Sequence, residues 1–175
     1  IQAVATPDPL LVFDRAVLRQ RRDRAARGWN RQAFLKREIA ERLVERLDDV
    51  RRGFALALDL GCHGDEVATA LGEGTTVGQL VRSDLGLAFA RRAGGPAVVA
   101  DEEALPFAPQ SFDLVLSAMS LHWVNDLPGT LIQIGRILKP DGLFLGAMLG
   151  GGTLWQLRQA LAAAESEIEG GLSPR

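Results

Sequence analysis

From residue 54 onward, short apolar runs of strand length alternate with helix-like segments, and that alternation leaves few folds open. Phe54-Ala55-Leu56-Ala57-Leu58 is a continuous apolar run, as expected of a strand buried on both faces of a parallel sheet. A helix over 66–71 closed by Gly72 and Gly74, a strand over 76–82, a helix over 85–93 stopped by Gly94-Gly95-Pro96 and a strand over 97–100 follow. After a polar loop come a strand (113–117), a helix (127–137), a strand (142–148) and a helix (153–168), with Lys139-Pro140-Asp141-Gly142 read as a turn. Strands joined through helices make right-handed βαβ units. The predicted fold class is therefore α/β, a Rossmann-like, doubly wound, mostly parallel sheet.

Ahead of this pattern, residues 10–27 predict a helix with a basic face (Arg15, Arg19, Arg21, Arg22, Arg24 and Arg27), broken at Gly28-Trp29-Asn30. A second helix, 31–50, places Leu35, Ile39, Leu43 and Leu47 on one apolar stripe, with Val50 three residues further on. Residues 1–52 are read as an amino-terminal helical cap and 53–175 as the ligand-binding domain of one structural unit. Asp14 and Asp23 interrupt the basic face and no aromatics are interleaved, so it is read as a solvated face rather than a nucleic-acid surface.

A formal charge of −2 gives no global attraction to nucleic acid or anionic membrane. The single cysteine, Cys62, excludes an intrachain disulfide and points to a reducing, cytoplasmic compartment. No apolar run approaches the roughly 20 residues that span a bilayer, and the first residues lack the features of a signal peptide. No C-x-x-C or H-E-x-x-H spacing occurs, so no protein-bound metal is expected.

In an open α/β sheet, ligands bind beyond the carboxyl ends of the strands. Four such places stand out. Asp59-Leu60-Gly61-Cys62-His63-Gly64-Asp65 follows the first strand, where a glycine turn allows close backbone approach to a ligand and Asp59 could meet an ammonium or fix the turn. Asp84 closes the second strand, about 20 residues on, where an acid can accept both hydroxyls of a ribose. Asp101-Glu102-Glu103 follows the third strand, where a carboxylate could accept from an exocyclic adenine amine. Ser117 to Trp123 follows the fourth, and there His122 is the candidate base beside an acceptor, with Trp123 walling off water.

The runs Val98-Val99-Ala100-Asp101-Glu102-Glu103-Ala104-Leu105-Pro106-Phe107, Ser111-Phe112-Asp113-Leu114-Val115, Leu121-His122-Trp123-Val124 and Leu138-Lys139-Pro140-Asp141-Gly142 resemble the class I S-adenosylmethionine-dependent methyltransferases of the type 11 group. That group includes the malonyl-carrier-protein methyltransferases. Leu121 to Pro128, Gly146-Ala147-Met148 and Gly170-Gly171-Leu172-Ser173-Pro174 look closer still to a subfamily of respiratory complex I assembly factors regarded as arginine hydroxylases, and to its bacterial relatives. The resemblance implies S-adenosylmethionine as cofactor and methyl transfer to a small-molecule or protein acceptor. Arginine hydroxylation, or an assembly role with weakened cofactor binding, is the alternative. It implies Asp59 and Gly61 at the methionine moiety, Asp84 at the ribose, Asp101 and Glu102 around the adenine, and Ser117 lining the cofactor; Cys62, His63 and Leu85 complete the cofactor-binding candidates.

One departure is marked. The family's turn reads Asp-x-Gly-x-Gly-x-Gly, and here His63 and Asp65 stand at the second and third glycines. Side chains there are expected to crowd the methionine end and to impose positive φ on non-glycine residues. Family members also continue with two further strands beside the fifth. Without them the strand Leu143–Met148 is expected to be an apolar edge, covered by a protein partner or by further chain.

Overall fold

The computed structural model describes residues 11–72 and 76–171. Gly74, Leu10 (where the first helix was predicted to begin) and Leu172-Ser173-Pro174 lie outside the described residues. Five strands, β1 (Phe54–Leu60), β2 (Val77–Asp84), β3 (Ala97–Val99), β4 (Phe112–Ala118) and β5 (Leu138–Ala147), form one sheet in the order β3-β2-β1-β4-β5. Every adjacent pair is parallel, so the predicted α/β doubly wound fold is the observed one. The chain runs outward from β1 to β3 and then restarts at β4 on the other side of β1. This order opens a crevice at the carboxyl ends of β1 and β4.

The two middle strands, β1 and β4, are largely buried on both faces, which explains their apolar runs, whereas β2 is half-buried or exposed up to Ser83. Ala57, Leu114, Leu116 and Ala118 face one core with Val67 and Phe54, whereas Leu58, Leu60, Val115 and Phe112 face the other with Ile134 and Ile137. Each fully buried Leu there, such as Leu58 or Leu114, contributes about 1.5–3 kcal/mol of transfer free energy. The covering helices are α4 (Glu66–Leu71), α5 (Leu87–Arg92) and α6 (Leu127–Ile137), and α7 (Trp155–Glu169) follows β5.

The amino-terminal helices are α1 (Arg15–Ala25), α2 (Trp29–Gln32) and α3 (Phe34–Glu45). Asp14 caps α1, its Oδ1 accepting from the amides of Ala16 at 2.8 Å and Val17 at 3.0 Å. Three expectations are corrected here. Gly28-Trp29-Asn30 does not end helical structure, because Trp29 starts the short α2. On α3 the buried stripe is Ala33, Lys36, Ala40, Leu43 and Leu47, while Leu35 is 45% exposed. The stripe has the 3-4-3-4 spacing of a helix but carries a lysine, which a search for apolar residues passes over. Finally, Lys139-Pro140-Asp141-Gly142 belongs to β5, which begins at Leu138 through an irregular register opposite Phe112 to Leu114. Proline is tolerated there because β5 is an edge strand, paired only with β4. Its residues are half-buried or exposed, and α7 buries none of its residues.

The turn after β1 leaves no room for a side chain at Gly61. Gly61 has φ +72°, and a Cβ there would stand 2.0 Å from Ser120 Oγ and 2.3 Å from Ser120 Cβ. Gly61→Ala is therefore expected to lower stability by about 2–4 kcal/mol, from left-handed strain plus overpacking. Ser120→Gly relieves the overlap but removes the hydroxyl bonded to Glu102 and Arg22, so Gly61→Ala should cost less in a Ser120→Gly background than in the parent. Urea unfolding of the single and double variants checks this, and equal stability of Gly61→Ala and the parent would contradict it.

Candidate functional site

The parallel register gathers the residues predicted from strand ends at one edge of the sheet. Asp59 pairs with Arg82 in register and Leu60 with Ser83, so Gly61 emerges beside Asp84, and the amides of Gly61 and Cys62 both donate to the Ser83 carbonyl at 2.9 Å. Asp84 is fully buried. Its Oδ1 accepts from Gly86 N at 2.7 Å and its Oδ2 from His63 N at 2.9 Å. Glu102, also fully buried, accepts from the Ser120 hydroxyl at 2.6 Å. Asp84, Glu102 and the less buried Asp101 thus come together at the strand ends, where α1 covers them. Leu85 and Cys62 are fully buried. The Ser117 hydroxyl donates to the Leu60 carbonyl at 2.9 Å, tying β4 to β1.

The acids do not stand alone at this sheet edge, and their partners come from residues that the sequence did not single out as site residues. Arg22, expected on a solvated face, is 4% exposed. Its Nη1 donates to Glu102 Oε1 at 2.7 Å and lies 3.4 Å from Asp84 Oδ1, and its Nη2 donates to Ser120 Oγ at 3.1 Å. One face of α1 carries both Arg22 and Arg15, which spans the Asp101 carboxylate, reaches Glu102 and donates to the Trp123 carbonyl at 2.9 Å. The signal was present in the sequence: Arg15, Leu18 and Arg22 share one helical stripe. Removing one partner from such a buried cluster typically costs about 3–5 kcal/mol.

Lys36 is the second inserted cation. Its Nζ donates to the carbonyls of Gly61 and Ala118, both at 2.7 Å, and lies 3.1 Å from His63 Nδ1. Burial lowers its pKa, and Asp59, the Cys62 thiol, Asp84 and Glu66 oppose that shift.

His63 occupies the place of the family's second glycine with φ +54°, as the departure in the turn predicted. Its ring is 8% exposed, stacks on Trp29 at 5.2 Å and lies 5.3 Å from Phe89. Trp29 is itself fixed by a 2.7 Å bond from Nε1 to Glu66 Oε1. Burial, with Lys36 and Arg22 adding to it, pushes the His63 pKa well below the usual range. The 3.7 Å approach of its Nδ1 to Asp84 is therefore a neutral contact and not an ion pair. Asp65 is exposed and does not cap α4.

Three further titrations follow from burial. Asp84 is raised, because desolvation outweighs Arg22 and the two backbone amides. Desolvation would raise Glu102 too, but Arg22, the Ser120 hydroxyl and Arg15 hold it below its ordinary value. Desolvation pushes Cys62 up, with Asp59 and Asp84 adding to it, so this residue is a protonated, packed thiol and not a nucleophile.

On the far side of Arg22 and Lys36 lies a cavity of about 420 Å³, bounded also by Trp29, His63, His122 and Trp123. That volume falls within the range of small-molecule sites, roughly 300–1,000 Å³. His122 is half-buried, with a buried Nδ1 that has no hydrogen-bond partner among the described residues. Burial, then Arg22 and Lys36, lowers its pKa, leaving a neutral imidazole at pH 7. Among the described residues no cluster of three or more His, Cys, Asp or Glu is arranged to hold a metal ion, and no helix is long and apolar enough to cross a membrane.

Asp59 has both carboxylate oxygens buried without a hydrogen-bond partner among the described residues, and burial raises its pKa to about 7 despite Lys36 and Arg82. An aspartate in the unfolded chain titrates near ~4. Between those values the folded state holds the extra proton, so stability falls as pH rises through that interval. Asp59→Asn should therefore raise the melting temperature at pH 8 and change it little at pH 5. Thermal unfolding at the two pH values checks this, and an equal shift at both would contradict it.

Comparison with known proteins fits this geometry. The methyltransferase domain family matches residues 58–146, from the middle of β1 to the end of β5. The chain is 46% identical over 176 residues to the human protein Arginine-hydroxylase NDUFAF5, mitochondrial, covering 97% of this chain and 51% of that protein. It is 36% identical over 169 residues to the Malonyl-[acyl-carrier protein] O-methyltransferase of Methylovorus sp. (strain MP688), covering 89% of this chain and 57% of that enzyme. The chain thus spans about half the length of the curated relatives it matches. A methyltransferase solved in complex with the Haloferax volcanii Trm112 methyltransferase activator superposes with a TM-score of 0.67 at 22% identity, over 83% of this chain and 73% of that one. The chain belongs to the methyltransferase domain family, whose class I members take S-adenosylmethionine as cofactor.

Proposed function

We propose that the chain is the cofactor-binding part of an S-adenosylmethionine-dependent methyltransferase. The observation that carries this reading is the convergence of Asp84, Glu102 and the Gly61 and Ala118 carbonyls at one sheet edge, beside a cavity of ligand size. The donor set fits the group: the Asp84 carboxylate for ribose hydroxyls, the Gly61 and Ala118 carbonyls for an ammonium, and Asp101 and Glu102 for the adenine. When bound, the cofactor supplies an electrophilic methyl on a sulfonium. Asp59, Gly61, Cys62, His63, Asp84, Leu85, Asp101, Glu102 and Ser117 are the residues we assign to holding it.

The chain's own contribution is orientation, worth roughly 7–11 kcal/mol when reacting groups are well aligned. Trp123 and Trp29 screen the cavity from water, and the neutral imidazole of His122 can accept a proton from an acceptor that must lose one. The acceptor is a small molecule or a protein side chain. We place the protein in a reducing, cytoplasmic compartment on the strength of its single buried thiol. The exposed edge of β5 is where we place a protein partner.

A second reading is favoured by the higher identity to relatives named arginine hydroxylases: hydroxylation of a protein arginine, or an assembly role, on the same scaffold. The crevice filled by Arg22 and His63 supports its weakened-cofactor form. Titration with S-adenosylmethionine, followed by heat and by tryptophan fluorescence, is expected to show saturable binding; no response at millimolar ligand would remove the cofactor from the account. Mass spectrometry of a modified acceptor separates the chemistries. Gain of a methylene marks methyl transfer, and gain of an oxygen marks hydroxylation.

A further inference from the structure

The acceptors that the proposed function assigns to the cofactor are already engaged by two cations of the protein itself. The Lys36 ammonium sits on the Gly61 and Ala118 carbonyls, 2.7 Å from each, where the ends of β1 and β4 diverge. The Arg22 guanidinium bridges Glu102, Ser120 and Asp84 at 2.7, 3.1 and 3.4 Å. An amino-acid-bearing nucleoside presents the same pair of features in the same order, an ammonium for the carbonyls and hydroxyl donors for the carboxylates. The two cations come from separate helices, α1 and α3, so one residue alone does not account for the match.

We propose that Lys36 and Arg22 are internal stand-ins for the cofactor, so that the amino-terminal helices and the cofactor compete for one set of acceptors. The inference rests on the cofactor reading above. Both side chains also border the cavity of about 420 Å³, which gives them space to withdraw into. Arg22 is anchored through its two terminal nitrogens, and its Nε has no partner among the described residues. Two long side chains held at their tips beside an open volume can exchange positions without unravelling the sheet. Cofactor affinity is then set by how readily both cations leave, because apparent affinity scales with the fraction of molecules in the open arrangement.

Calorimetric titration of the full chain with S-adenosylhomocysteine, against Arg22→Met and Lys36→Met, tests this. Each variant is expected to bind about tenfold more tightly or better. Without ligand, Arg22→Met should melt at a lower temperature than the parent, and it should gain more on ligand addition. Unchanged or weaker binding by both variants, with the parent binding, overturns the competition while leaving the cofactor reading intact. Absence of binding by the parent and both variants overturns the cofactor reading itself. Should the methionine variants not fold, amide hydrogen exchange of the parent decides. Saturating ligand is expected to speed exchange in α1, and slower exchange there overturns the proposal.

Discussion

The structure depends on how several buried carboxylates are kept at one end of a parallel sheet. Doubly wound topology brings the ends of β1, β2 and β4 together and places the residues after β3 beside them, so Asp59, Asp84 and Glu102 all lose water at the same edge. An ionised carboxylate in such a place is untenable without partners. Arg22 and Arg15 pair Glu102, Asp101 and Asp84, while Asp59, left without hydrogen bonds, is driven toward its protonated form. The packing of the amino-terminal helices onto the sheet is thus as much a matter of charge compensation as of apolar burial.

The same arrangement links fold to function. Acceptors that need cations to be stable in the folded state are also acceptors able to recognise a cationic, hydroxyl-bearing ligand. The protein's own side chains meet that requirement in the structure described here. His63 adds to this closure: where the family carries a glycine, its imidazole packs against Trp29 and Phe89 and its backbone N–H donates to Asp84. The higher identity to arginine hydroxylases than to a malonyl-carrier-protein methyltransferase sits alongside this altered turn.

Much of the fold was legible because β1 and β4 are largely buried on both faces and therefore carry apolar runs; Phe54 to Leu58 could be little else. Asp84, Asp101 and Glu102 were legible by position, each at or just after a strand end. What was not legible follows from one assumption, that charge means surface. Of the predicted stripe Leu35, Ile39, Leu43 and Leu47, with Val50, only Leu35 is exposed; the apolar search found the right side of α3 but passed over Lys36 in its middle. Arg22 read as one of six solvated arginines, although its spacing from Arg15 and Leu18 put all three on one helix face. The start of β5 was read as a turn because Pro140 and Gly142 are turn residues, and only its edge position reconciles them with a strand.

The central claim is that the crevice between Gly61, Asp84 and Glu102 is a nucleoside site. A crystal structure of the protein grown with S-adenosylhomocysteine tests it most directly. The account predicts ribose density against Asp84, with the Arg22 guanidinium moved away from Glu102. Density for the nucleoside anywhere else, or a crevice still filled by Arg22 at saturating ligand, would contradict it.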